Sequence, residues 1–81
     1  MKIIEVLGPG CPSCRKAEEE VRKAALSLGW TEEEDFVILK VGEPGNIAAR
    51  GVLFTPGVIV DGKVVSSGKV PKQADILGWL K

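Results

Sequence analysis

The apolar positions of this chain change their period several times, and each change marks an element. Lys2 to Leu7 is a short run rich in β-branched residues, closed by Gly8-Pro9-Gly10, and predicts a first strand. From Pro12 to Leu28 the period is helical: Cys14, Ala17, Val21, Ala24, Ala25 and Leu28 fall on one stripe, with Arg15, Glu18, Glu19, Arg22 and Lys23 on the other side. Gly29 supplies a left-handed stop. Trp30 to Asp35 carries the acidic run Glu32-Glu33-Glu34-Asp35 and reads as a solvated loop, with a docking patch for a basic partner as the alternative. Phe36 to Val41 is almost continuously apolar, the signature of a strand covered on both faces. Asn46 to Arg50 predicts a short helical segment, stopped by Gly51. Gly57 to Val60 and Lys63 to Ser66 flank Asp61-Gly62, a dipeptide that favours a two-residue type I′ hairpin turn. Pro71 suits the first turn of a last helix, whose inward residues would be Ala74, Leu77 and Leu80, or else Ile76 and Leu80.

The predicted order is therefore β-α-β-α-β-β-α, an α/β fold. A helical crossover between the first two strands requires them to be parallel, with a right-handed connection. The hairpin adds an antiparallel edge, giving a four-stranded mixed sheet with helices on both faces. At 81 residues the chain is expected to form a single domain, 1–81.

Composition narrows the chemistry. Lys and Arg total 11 and Asp and Glu total 11, so no net charge draws the chain to nucleic acid or an anionic membrane. Aromatic content is 5 %, with no Tyr, which disfavours a base-stacking platform. There is no His, so Cys-His, Ser-His and HExxH hydrolases are excluded within this chain. The first strand is too short for a signal peptide, and no run approaches the roughly 18 apolar residues of a membrane span. A cytoplasmic location is expected, since a small secreted domain would spread several disulfides along its length.

The two cysteines sit in Gly10-Cys11-Pro12-Ser13-Cys14. Cys11 occupies the junction of loop and helix, and Pro12 fits the first helical position, where its missing N–H is harmless. The unpaired N–H groups of the first turn, with the helix dipole, favour the Cys11 thiolate over the thiol. That moves its pKa down from about 8.5 toward neutrality, where attack on a disulfide is fastest. Arg15 and Lys16 add positive charge nearby. Cys14 lies one turn further on, at a Cα separation on the order of 5 Å, within disulfide reach. It belongs to the apolar stripe, so it is the less exposed thiol. Cys11 should attack a partner disulfide, and Cys14 should then attack the Cys11 sulfur and release the partner. Pro12 and Ser13 set the strain and hydrogen bonds of the pair, and with them its potential. Two other readings stay open: a soft-metal or arsenite carrier on two thiolates, and an interaction domain whose cysteines are idle. Zinc wants four ligands, and this chain offers no His and no third Cys.

A second feature precedes the hairpin, Phe54-Thr55-Pro56-Gly57. Pro cannot donate to a sheet ladder, so at the start of a strand it marks an edge or a special peptide. A cis Thr55–Pro56 bond would place the Thr55 backbone beside the cysteines, ready to pair with an extended substrate strand.

This combination resembles the thioredoxin superfamily, and within it the short, glutaredoxin-sized, thioredoxin-like redox-active disulfide proteins. The likeness runs from Lys2 to Leu80. It implies a thiol–disulfide oxidoreductase that reduces protein disulfides, with Cys11 attacking, Cys14 resolving and Pro56 as the cis-proline shaping the substrate groove with Thr55. It further implies electrons from a disulfide reductase, disulfide-containing protein substrates, no bound cofactor and no metal. Gly10 stands where typical thioredoxins have Trp, and Pro12-Ser13 replaces their Gly-Pro. Glu5, six residues before Cys11, stands where thioredoxins carry a buried Asp that assists the resolving thiol. By that resemblance Glu5 would help deprotonate Cys14; the alternative is a surface Glu at a strand edge.

Overall fold

Lys2–Leu7 forms β1, which buries Ile4, Val6 and Leu7 and is the strand against which the rest of the molecule is built. The computed structural model describes residues 1–10, 12–52 and 54–80. After β1 come α1 (Pro12–Ser27), β2 (Phe36–Val41), α2 (Pro44–Ala49), β3 (Gly57–Val60), β4 (Lys63–Ser67) and α3 (Gln73–Leu80), in the order expected from the sequence. The strands lie side by side as β2-β1-β3-β4. β1 runs parallel to β2 and antiparallel to β3, and β4 returns antiparallel to β3 as the outer strand of the hairpin. Asp61 and Gly62 have φ of 50° and 85°, the double left-handed signature of a type I′ turn. The turn is latched to β1: the Asp61 N–H donates to the Ile3 carbonyl at 2.8 Å, and the Ile3 N–H donates to Asp61 Oδ1 at 2.9 Å.

Two apolar clusters flank the sheet. On one face, Ile4, Phe36, Val58 and Val60 pack against Val21, Ala24 and Ala25 of α1 and Ile76 and Leu80 of α3. On the other, Leu7 and Ile59 pack against Ile47 of α2 and Val52. Helices therefore cover both faces, α1 and α3 on one and α2 on the other. Of the two inward sets expected for the last helix, Ile76 with Leu80 is the buried one, while Ala74 is exposed. Gln73 ties α3 to α1 by donating to the Glu20 backbone and side chain at 2.7 and 2.6 Å.

β2 departs from expectation. Its apolar run suggested cover on both faces, yet it is an edge strand and Leu39 is 48 % exposed. The reason is the size of α2. Six residues cover only part of the sheet face on which Val37 and Leu39 alternate with the inward Phe36 and Ile38.

Candidate functional site

The end of β1, the first turns of α1 and the loop before β3 meet at one corner of the sheet. Gly8 follows β1 and is held to the neighbouring strand by its N–H, which donates to the Val41 carbonyl at 2.8 Å. A Cβ at Gly8 would collide with Cys14 Sγ, would lie 2.9 Å from Cys14 Cβ and 3.7 Å from Thr55 Cβ. The bare backbone of residue 8 is thus the wall against which Cys14 and Thr55 both pack. Glycine is required there for closeness of approach rather than for an unusual φ.

Cys14 is 5 % exposed, on the buried stripe of α1, and is disulfide-bonded. Pro12 and Ser13 precede it on the first turn, both exposed to solvent. Cys11 lies outside the described residues. The Thr55–Pro56 peptide bond is cis, with Pro56 buried and Thr55 exposed. This loop is pinned from β4's side: the Gly68 N–H donates to the carbonyls of Phe54 (3.1 Å) and Pro56 (2.9 Å). Gly68 has φ of 77°, and a Cβ there would sit 3.1 Å from Phe54 Cβ, so a side chain is disfavoured twice over. Phe54 itself is 69 % exposed.

Two hollows adjoin this corner. The first, of about 250 Å³, is bounded by Val6, Gly8, Gly10, Cys14, Arg15, Glu18 and Lys40. The second, of about 310 Å³ and more apolar, runs between α2 and the loop and is bounded by Pro9, Pro44, Ile47, Ala48, Val52 and Thr55. Glu18 is held at the first hollow by ion pairs, to Lys40 at 3.4 Å and to Arg22 at 3.1 Å. Arg22 also pairs with Glu32 at 2.9 Å, and that hydrogen bond raises the Arg22 pKa further above its ordinary value. The expected solvated acidic run is therefore in part an ion-pairing partner of α1.

Of the residues singled out in the sequence, the structure brings together Cys14, Thr55 and Pro56. It does not bring Glu5 to them. Side chains alternate along a strand, so Glu5 shares its face with Leu7, which packs with α2, while Ile4 shares its face with the α1 cluster. The Glu5 carboxylate instead accepts a 2.8 Å hydrogen bond from Arg50 Nε, and Arg50 also donates to the Asn46 carbonyl at 3.0 Å, closing the end of α2. The Glu5 carboxylate is thus held in an ion pair on the face of β1 turned away from the α1 cluster. Gly8, Gly68, Glu18 and Lys40 were not singled out. Only Glu18 left a trace in the sequence: the apolar stripe set it on the polar side of the helix, yet a spacing of four from Cys14 lets it border the same hollow.

Among the described residues no group of three or more His, Cys, Asp or Glu is arranged to hold a metal ion, and no helix is long and apolar enough to cross a membrane. The family described as a thioredoxin domain matches residues 2–81. A protein named thioredoxin from Methanocaldococcus jannaschii is 40 % identical over 81 residues, covering all of this chain and 88 % of its own length. A second so named, from Methanothermobacter thermautotrophicus, is 32 % identical over 76 residues, or 94 % of each chain.

Proposed function

The chain belongs to the thioredoxin family, and from that premise we propose that it reduces protein disulfides through the Cys11–Cys14 dithiol. The family makes it oxidoreductase-like in thiol–disulfide chemistry; the direction, the residues and the partners are our reading. The observation that carries it is the convergence of Cys14, the Gly8 backbone and the Thr55–Pro56 loop at one corner of the sheet. A sulfur on the first turn of α1 there has a loop backbone beside it on which an extended substrate can lie.

In this mechanism Cys11 is the residue that precedes Pro12, the first of α1, in the sequence. The dipole and the unpaired N–H groups of the first turn stabilise its thiolate. The thiolate attacks one sulfur of the partner disulfide; a Cys11–partner bond forms and the partner's other sulfur leaves as a thiolate. Cys14 then loses its proton and attacks Cys11 Sγ. The Cys11–Cys14 bond forms, the Cys11–partner bond breaks, and the partner leaves with both sulfurs reduced. The two electrons come from the dithiol, which a disulfide reductase restores. Pro12 and Ser13 tune the potential from the exposed first turn, and Thr55 and Pro56 shape the substrate groove. A reducing cytoplasm is the compartment that suits this direction.

The test is trapping. Cys14→Ser should accumulate mixed disulfides with protein substrates through Cys11, Cys11→Ser should accumulate none, and the reduced wild type should turn over insulin disulfides. Equal trapping by both variants removes the assigned roles. Stoichiometric soft-metal or arsenite binding without insulin reduction would favour the carrier instead.

A further inference from the structure

We propose that Glu5 and Arg50 are positioning residues for protein substrates: their ion pair fixes α2 against the sheet, and with it the width of the apolar hollow between α2 and the Thr55–Pro56 loop. The inference rests on the reading of that loop as the groove for an extended substrate. It gives Glu5 a task that involves no proton transfer.

A helix as short as α2 does not hold itself; its place comes from what it packs on. Glu43, at its start, makes no capping hydrogen bond through its side chain. Ile47 is its one buried residue, set among Leu7, Val52 and Ile59. A single apolar anchor fixes a point and leaves the helix axis free to swing about it. Arg50, at the end of the helix, supplies a second point. Its Nε donates to Glu5 Oε1 at 2.8 Å and its Nη1 to the Asn46 carbonyl at 3.0 Å. The planar guanidinium thereby ties the last turn of α2 to β1 in a fixed direction.

Glu5 is an unusual residue to find at the receiving end. It stands in the middle of the sheet, opposite Leu39 of β2 and Ile59 of β3, with its side chain only 17 % exposed. An apolar residue would suit that position; a carboxylate is costly there unless it is paired. What the pair adds is direction. Apolar contact adheres without setting an angle, whereas a charge-assisted hydrogen bond sets one. Three residues further along, the same strand leads into Gly8, where a Cβ would lie 3.7 Å from Thr55 Cβ. Both walls of the hollow are therefore referred to β1: Pro44, Ile47 and Ala48 of α2 through Glu5, and Thr55 through Gly8. Moving α2 by about 1 Å alters how closely a substrate side chain fits between them. It leaves Cys14, held on the buried stripe of α1, in place.

The test compares two disulfides in single turnover with the reduced protein. One is an extended peptide whose disulfide has apolar flanking residues; the other is hydroxyethyl disulfide, too small to reach the hollow. In Arg50→Ala the second-order rate with the peptide should fall by at least about fivefold, and the rate with hydroxyethyl disulfide should not change. Arg50→Lys keeps the charge but cannot make both hydrogen bonds, so it should recover part of the peptide rate. Glu5→Leu combined with Arg50→Met replaces the pair by apolar side chains and keeps the fold stable, which separates orientation from stability. Its peptide rate should fall as in Arg50→Ala while its urea midpoint stays at or above that of wild type. Either variant decides alone if the other does not fold. A wild-type peptide rate in either, or an equal loss with both disulfides, overturns the proposal. Failure here leaves the Cys14→Ser trapping result intact, whereas absent trapping would remove the exchange reaction that the groove serves.

Discussion

Gly8 illustrates how much one missing side chain can decide. Its φ is unexceptional, so the backbone would accept alanine; the neighbouring cysteine would not. Overpacking of this kind, against a buried helix residue rather than a flexible surface chain, costs about 1–3 kcal/mol. Gly8→Ala should therefore lower the unfolding free energy by that amount, read as a lower urea midpoint with an unchanged slope. It should also slow disulfide turnover, because the added methyl pushes Cys14 off the end of β1. Gly10, with a φ of 87° and open space within 4 Å of where a Cβ would sit, should respond through backbone strain alone. Comparing the two alanine variants separates a packing requirement from a conformational one.

At the level of elements, the hairpin latch carries a pH signature. The Ile3 N–H, and after it Lys2, hold the Asp61 carboxyl below its ordinary value of 3.8. A folded-state pKa below the unfolded one gives stability that is present above the unfolded value and lost as pH falls through the folded one. Wild type should thus lose an increment of stability in the acid range below about pH 4. Asp61→Asn, which tolerates the same left-handed turn but cannot ionise, should lack that increment and show a flatter profile; denaturant titrations across this range check it. The same elements show what a sequence can reveal. The Asp61-Gly62 turn, the stop at Gly29 and the buried stripe of α1 rest on neighbours a few residues apart, and all were readable. Which face of β1 would meet α1 was not. The parity of Glu5 and Leu7 was plain from strand geometry, but the assignment of that face to α2 depends on packing between segments far apart in sequence. For the same reason the contact of Gly8 with Cys14 and the pairing of Glu18 with Lys40 left no local mark beyond a spacing of four. The apolar run of β2 misled because hydrophobicity reports the residue and not the length of the helix available to cover it.

For the whole molecule, stability rests unevenly on the two apolar clusters. A folded chain of 81 residues has a net stability on the order of 4–12 kcal/mol. Ile76, fully buried where α3 meets α1 and the sheet, should cost about 2–5 kcal/mol when cut to alanine. That is a large part of the total, enough to leave the variant marginal. Leu39→Ala, on the uncovered edge strand, should stay within about 0.5 kcal/mol. Trp30 packs on Phe36 with ring centroids 6.4 Å apart, so its fluorescence reports both unfolding transitions from the edge of the larger cluster.

β1 has a different task at each end. Its first residues hold the turn at Asp61, and its last residue leads into the glycine beneath Cys14. Six residues of strand put roughly 20 Å between them. Thermal robustness and redox behaviour can consequently be adjusted at separate places on one segment. A designer could strengthen the hairpin margin without disturbing the sulfurs, and evolution has had the same freedom to retune the chemistry while leaving the far margin alone.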